Sequence, residues 1–438
     1  MVATGTRSSV WRNWGRTASC SPATMLQPRS EEEIVAAVKE AAANGQKVKV
    51  AGTGHSFTDI ACTDGVMLEI QRHRRLVGVD RERKQVTVEA GIPLFELAAQ
   101  LAEHGLALSN LGDIGYQTVA GAISTATHGT GARFGTLSTQ VVALRLITGD
   151  GSVVECSRES DPDLFRAAQV GLGALGVISQ VTLQCEDAFN LHAVEQPEKL
   201  EAVLESFEER VQGNEHFEFY WFPHTDVCMT KENNRTDEPL DPKSRMRTWV
   251  DDVLVANRVF GLACRIGRRW PRTVPRIARL AGVLLSKTEE VDRSDRVFLT
   301  PRFVRFAEME YAIPRSAAPD ALTEVKRFIE RKQLIVSFPV EVRVAAPDDA
   351  FLSPAHGRDT AYVAVHMFQR VDFDPYFRGV EAIMRGLDGR PHWGKWHYRT
   401  AGDLRPVYPE FDRFLAARDR LDPERRFANG YLDRVLGP

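Results

Sequence analysis

The chain has 438 residues, 43% hydrophobic and 26% charged, with 56 basic against 59 acidic side chains. That is the composition of a soluble globular protein of about two to three domains, and a net charge of −3 gives no electrostatic reason to bind nucleic acid. Six scattered cysteines without CxxC pairs exclude a thiolate zinc site and a disulfide framework and fit a reducing compartment, hence the cytoplasm.

Residues 1–12 are polar and lack the apolar stretch of a secretory signal. No segment approaches the roughly 18 apolar residues of a transmembrane span. Ser30-Glu31-Glu32-Glu33 reads as a capping box, with Ser30 capping and Glu33 reaching back. Ile34, Val35, Val38 and Ala42 keep helical spacing, and Gly45 stops the helix. A short β-branched run then leads into Val50-Ala51-Gly52-Thr53-Gly54-His55-Ser56-Phe57. A loop of Gly, Thr and Ser leaves backbone N–H groups free to turn inward, as in phosphate cradles. The histidine in its middle can act as nucleophile, metal ligand or base. The octapeptide alone equally suits a strand-end turn with a hydrogen-bonded histidine.

Short strands are predicted at 66–70, 76–79 and 86–88, and a second helix opens at Pro93 and stops at Gly105. Gly149-Asp150-Gly151 joins two β-type runs as a hairpin. Helices and strands are mixed without strict alternation, so the fold class is α+β. Between these elements, 118–135 is nearly all Gly, Ala, Ser and Thr, which suits either tight helix packing or a ligand-contacting backbone. Gly171-Leu172-Gly173-Ala174-Leu175-Gly176 matches GxGxxG, but with a helix before it and a strand after. The dinucleotide fingerprint needs the reverse order, so a nicotinamide site is disfavoured.

From about residue 190 aromatics and long alternating runs appear, at 215–222, 297–313, 335–345 and 362–369, with helices at 317–332 and 376–387. They predict a second domain with a large antiparallel sheet. Arg265, Arg268, Arg269, Arg272, Arg276 and Arg279 form a basic run interrupted by Pro271 and Pro275, read as a solvated or oligomer-facing surface with a peripheral membrane contact as the alternative. In Pro391-His392-Trp393-Gly394-Lys395-Trp396-His397 no neighbouring carboxylate or cysteine completes a metal set, so no metal is expected. The two tryptophans are expected to hold the Lys395 ammonium in a partly dry pocket, where it stabilises developing negative charge or serves cation–π packing alone.

Together and in this order, Gly52-Thr53-Gly54-His55-Ser56-Phe57, the Ala-Thr-His-Gly-Thr-Gly stretch within 121–131, Glu341-Val342-Arg343 and His392-Trp393-Gly394-Lys395 resemble the sugar-lactone (aldonolactone) oxidoreductases. These belong to the vanillyl-alcohol oxidase/p-cresol methylhydroxylase-like FAD fold, and the nearest group is the L-gulono-1,4-lactone oxidases and dehydrogenases. The resemblance runs from Trp14 to the end and implies a two-domain α+β fold. An FAD-binding domain of two subdomains would span 1–186 and an antiparallel-sheet cap 187–395, with 396–438 returning to the FAD domain.

The resemblance further implies an FAD bonded covalently to His55, with its pyrophosphate across Ala51, Gly52, Thr53, Gly54, Ser56 and Phe57. No cysteine stands between 106 and 131 for a second attachment. Gly112, Asp113, Thr118, Gly121, Ser124, Thr125, His128, Gly129 and Gly131 would contact the flavin, as would Val177, Ile178, Lys395 and Asn429. The catalytic set would be Glu341, Arg343, Lys395, His366 and Thr118. Glu341 and Arg343 alternate on one strand and so share a face.

The implied chemistry is oxidation of the alcohol beside the lactone carbonyl of L-gulono-1,4-lactone, giving L-ascorbate, with hydride transfer to the flavin. Arg343 and Lys395 would stabilise the alkoxide, Glu341 would orient both cations, and His366, Lys395 or water would take the proton. Gly112 matches a gate position and favours reoxidation by O2. A dehydrogenase using cytochrome c or another acceptor, and an alditol oxidase acting on open-chain polyols, are the alternatives. Loops 225–245 and 347–360 would set substrate selectivity.

Overall fold

The computed structural model describes residues 10–244, 257–300 and 303–438. Parts of the polar N-terminus (1–9), of the 297–313 run (301–302) and of the 225–245 loop (Arg245) lie outside the described residues.

The N-terminal part builds a small parallel sheet in the order Thr24–Leu26, Val66–Glu69, Val48–Ala51, with helix Glu31–Ala43 as the crossover. Ser30 Oγ caps the helix by accepting from the Glu33 N–H. The Glu33 carboxylate reaches one residue further than a capping box requires, to the Arg29 N–H at 2.8 Å. Gly45, at φ +64°, turns the chain out of the helix. Helix Leu94–Glu103 follows Pro93 and ends before Gly105 (φ +68°). A five-stranded antiparallel sheet contains the hairpin Val141–Ile147 and Val153–Ser157 and the strand Val177–Gln184. Helix Pro162–Gln169 precedes the GxGxxG turn, so the reversed order holds.

An eight-stranded antiparallel sheet dominates the second half of the described residues. Its central strands His216–Trp221, Val340–Ala345, Thr360–Phe368 and Phe306–Pro314 explain one another by period-two alternation. Val340, Val342 and Val344 enter one core with Phe217, Phe219, Met309, Tyr311, Val363 and Val365, beneath helices Ala318–Arg331 and Asp374–Arg385. Burying each such side chain is worth roughly 1.5–3 kcal/mol. A one-residue slip would expose the valines and bury Glu341 and Arg343 in apolar packing, so the register is strongly specified.

Four expectations change. The 297–313 run is divided: Ser294–Phe298 is a helix and the strand begins at Phe306. Pro301, which has no N–H to give to a ladder, falls between them. The 335–345 run likewise becomes a strand only after Pro339, at Val340. The 225–245 loop contains strand Val227–Thr236, which pairs along its whole length with Asn190–Lys199. The basic run forms helices Phe260–Arg269 and Val274–Leu284; Pro271 sits in the turn between them, while Pro275 starts the second helix and does not break it. Leu280, Val283 and Leu284 are exposed beside the arginines. No helix among the described residues is long and apolar enough to cross a membrane.

Candidate active site

Strand Val48–Ala51 delivers the glycine loop to a cleft of about 850 Å³, counted to its open mouth. The loop's carbonyls are tied outward. Gln71 Nε2 donates to Gly52 O, the Trp14 N–H to Gly54 O, Asn13 Nδ2 to Ser56 O and Thr17 Oγ1 to Phe57 O. The N–H groups of Thr53, Gly54, His55 and Ser56 meet no acceptor among the described residues, while that of Phe57 donates to Gly394 O. Gly54 adopts φ +73°, and a Cβ on Gly52 would collide with Thr118 Oγ1. A cradle of free N–H groups walled by glycine fits an anionic dinucleotide.

The cleft is also lined by Thr118, Gly121, Ser124, Thr125 and Ile178, as the resemblance implies. Thr118 caps the short helix Val119–Ser124 through its hydroxyl, so it stands with Gly52 and Gly121 on the cleft side. The remaining expected contacts lie off the cleft. Ala51 and Val177 are buried in their strands. Phe57 stacks on Phe306, with ring centroids 5.5 Å apart. Beyond Thr127 the chain leaves the cleft for the large sheet. His128 pairs with Glu310 at 3.2 Å and stacks on Tyr362, Gly129 packs on Asn110, and the Gly131 N–H donates to Val344 O. Gly112 faces the His128 carbonyl. Asn429 Nδ2 pins the carbonyls of Asp59, Ile60 and Cys62, behind the Ile60 and Ala61 that line the cleft.

His55 is layered between Trp14 (5.5 Å, 23°) and Tyr116 (6.5 Å, 11°). Burial, aided by the Lys395 charge, pushes its pKa down to about 4, so the imidazole is neutral near pH 7. Lys49, one strand residue before Val50, also lines the cleft, and its ammonium donates to Gly173 O and Phe427 O.

The polar face of the large sheet carries the second half of the site. Arg343 Nε lies 2.6 Å from Glu218 Oε2, Nη2 lies 2.5 Å from Glu341 Oε1, and Nη1 lies 3.5 Å from Asp113. Asp113, expected at the cofactor, thus stands with the arginine. Lys395 Nζ lies 2.5 Å from Glu308 Oε2 and 5.3 Å from the Phe57 ring centroid. His366 Nε2 lies 3.4 Å from Glu308 Oε1, because the two residues are direct partners across the strands. Burial would lower the Lys395 and His366 pKa values, but the Glu308 carboxylate outweighs it and holds both raised.

Three readings are corrected here. The tryptophans do not flank the lysine: Trp393 stacks on Tyr408 and Trp396 packs on Phe373, leaving Phe57 and Glu308 around the ammonium. Glu308, not Glu341, is the carboxylate in contact with that ammonium. A carboxylate also does complete a metal-type set around His392, since Glu310 and His128 bring ligand atoms within 4.8 Å of it. Yet His128 Nδ1 donates to Gly129 O and His392 Nδ1 accepts from the Gly394 N–H. In the other such set (Glu308, Glu341, His366), Lys395 and Arg343 already supply the cationic charge.

Glu308, Glu310, Glu218, Tyr220, Trp14 and Lys49 were missed from sequence. For Glu308 and Glu310 a signal existed: Phe306-Ala307-Glu308-Met309-Glu310-Tyr311 carries two carboxylates on one face of an apolar strand, as Glu341-Val342-Arg343 does.

The profile of the D-arabinono-1,4-lactone oxidase family matches residues 181–435, and that of an FAD-binding domain matches residues 22–157. The chain is 48% identical to the L-gulono-1,4-lactone dehydrogenase of Mycobacterium tuberculosis, over 98% of this chain and 100% of that protein. It is 40% identical to the L-gulonolactone oxidase of Bos taurus, over 99% of both chains. Among solved structures, a solvent-stable cholesterol oxidase superposes with a TM-score of 0.82 at 19% identity, covering 99% of this chain and 98% of that one, a likeness of fold.

Proposed function

The chain belongs to the aldonolactone oxidoreductases, the family of D-arabinono-1,4-lactone oxidase, and on that premise we propose that it oxidises L-gulono-1,4-lactone, or a related aldonolactone, at the alcohol beside the lactone carbonyl. The ketolactone formed would enolise to L-ascorbate. FAD, when bound in the matched domain, would supply the two-electron acceptor. We assign His55 as its covalent attachment, Thr53–Ser56 N–H groups as the pyrophosphate cradle, and O2 as the oxidant of the reduced cofactor. Residues 1–186 would form the FAD domain, 187–395 the cap and 396–438 the returning segment.

One observation carries this reading: the Lys395 ammonium stands over Phe57, at the end of the glycine loop, while its carboxylate partner lies on the sheet face that presents Arg343. A buried guanidinium and a largely shielded ammonium beside a cofactor cleft are suited to stabilise the alkoxide that develops as the carbinol is oxidised. Neutral His55, layered between two aromatic rings, has a lone pair to offer in bond formation. The test is anaerobic bleaching of the flavin by L-gulono-1,4-lactone set against xylitol and sorbitol. Reduction by the open-chain polyols alone would make the protein an alditol oxidase.

The 48% identity to a protein named as a dehydrogenase favours a second reading of the acceptor, cytochrome c or another carrier. Mixing reduced enzyme with aerated buffer separates the two, since a flavin that stays reduced for minutes removes O2 as the oxidant. We assign the protein to the cytoplasm, with the pair Phe260–Arg269 and Val274–Leu284 as the face suited to peripheral membrane contact.

A further inference from the structure

Oxidation of an alcohol needs a group to take the hydroxyl proton, and three side chains stand close enough to be weighed: His366, Lys395 and Glu341. Their hydrogen bonds separate them. His366 Nδ1 lies 3.0 Å from the Pro339 carbonyl, which can only accept, so Nδ1 carries a hydrogen. Its Nε2 faces Glu308 Oε1 at 3.4 Å, where a lone pair would oppose a carboxylate. Both ring nitrogens are donors, and the ring has no lone pair to spare. Lys395 is held as an ammonium against the other oxygen of the same carboxylate, at 2.5 Å, and an ammonium has no acceptor. Glu341 differs. Its Oε1 is buried and, among the described residues, no donor is aligned with it in a hydrogen bond, although Arg343 Nη2 lies 2.5 Å away.

We propose that Glu341 is the general base of the reaction, and that Glu308 is a positioning residue that keeps His366 and Lys395 in their donating forms. The proposal rests on the lactone-oxidising reading above. The step balances. The carbinol C–H bond breaks and its electron pair leaves with the hydrogen to the oxidised flavin; the O–H proton passes to the Glu341 carboxylate; the C=O bond forms. The alcohol loses two electrons, the flavin gains them, and no further reactant is consumed. Lys395 and Arg343 face the oxygen while its charge builds.

The setting of Glu341 suits a base. Arg343 lies on its own strand, Glu218 and Tyr220 on His216–Trp221, His366 on Thr360–Phe368, Asp113 on the loop before Val119–Ser124, and Lys395 on the C-terminal side. Burial, with Asp113 and Glu218, pushes the Glu341 pKa up to about 7 against the pull of Arg343 and His366. A carboxylate in that range is ionised just above neutrality and is far more basic than an exposed glutamate.

The experiment compares wild-type holoenzyme with Glu341→Gln and His366→Gln. In anaerobic stopped flow with L-gulono-1,4-lactone, wild-type flavin reduction should rise with pH through about 7. Glu341→Gln should slow it by about 10²–10⁴-fold and abolish the rise. His366→Gln should keep the rise. A second readout needs no turnover: denaturant unfolding against pH. A carboxyl raised in the folded state contributes stability below its unfolded pKa that is lost as pH rises to its folded one, so wild type should lose stability relative to Glu341→Gln between about pH 4.5 and 7 and level off above. A flat difference, a rise retained in Glu341→Gln, or a rise lost in His366→Gln overturns the proposal. A wild-type flavin that no aldonolactone reduces removes the substrate reading and the proposal with it; a wild type that is reduced beside an unchanged Glu341→Gln profile removes only the proposal.

Discussion

Lys395 Nζ and Glu308 Oε2 lie 2.5 Å apart, joining the segment after His392 to strand Phe306–Pro314 in an ion pair whose carboxylate is buried and whose ammonium is one-fifth exposed. Replacing Glu308 by Gln keeps the shape and removes the countercharge. Breaking a fully buried pair from one side costs about 3–5 kcal/mol, and because the ammonium keeps some solvent, denaturant unfolding should show a loss below that range. Flavin reduction should also slow by at least about tenfold as the ammonium loses its anchor. A variant with wild-type stability and rate would mean that the pair does no structural or catalytic work.

His55→Ala should release the flavin. Acid-precipitated wild-type protein should stay yellow over a clear supernatant, and the variant should give a white pellet under a yellow one. Because the imidazole titrates at about 4, attachment to FAD added to flavin-free wild-type chain should be independent of pH above about 5 and should fail only as pH drops through 4. A yellow pellet from His55→Ala would place the bond on another residue.

Gly112→Ala tests the gate position. A Cβ there would stand 2.9 Å from the His128 carbonyl oxygen, a backbone atom that cannot swing away. Overpacking of this kind costs about 1–3 kcal/mol. The variant should melt at a lower temperature and should react with O2 much more slowly, with flavin reduction little changed. Equal slowing of both half-reactions would show that the residue is a packing position and no gate.

Lys49→Met tests the buried ammonium, whose proton donors, among the described residues, meet the carbonyls of Gly173 and Phe427 alone. Burial, chiefly, pushes the Lys49 pKa down to about 7 from an ordinary value of 10.5. Between those values the unfolded chain binds a proton that the folded chain lacks, so stability rises with pH across this window. Unfolding of flavin-free protein at pH 6, 8 and 9.5 should therefore show wild type gaining on Lys49→Met as pH rises. Parallel curves would contradict the desolvation of Lys49.

Where a site is built from neighbours in the chain, sequence was enough. The Gly52–Phe57 loop, the capped helix before it and the reversed order around Gly171–Gly176 all follow from spacing of a few residues. Alternation alone put Glu341 and Arg343 on one face, and the structure brings them into contact. Reading failed where a partner came from far away. Periodicity does not weigh proline, so the 297–313 run reads as one strand from sequence, and the partners of Glu308 and Glu310, His366 and His128, lie far away in the chain.

The amino-acid sequence by itself determined the α+β class, the family, the glycine loop and the residue types that carry charge to the site, because each depends on local spacing or on a contiguous motif. Only the tertiary structure decided which charges meet. The register that sets Glu308 opposite His366 and Tyr220 opposite Glu341 comes from burying one face of four strands together, and no one of those strands specifies its partner alone. That pairing assigns Lys395 to Glu308 and leaves Glu341 with a buried acceptor.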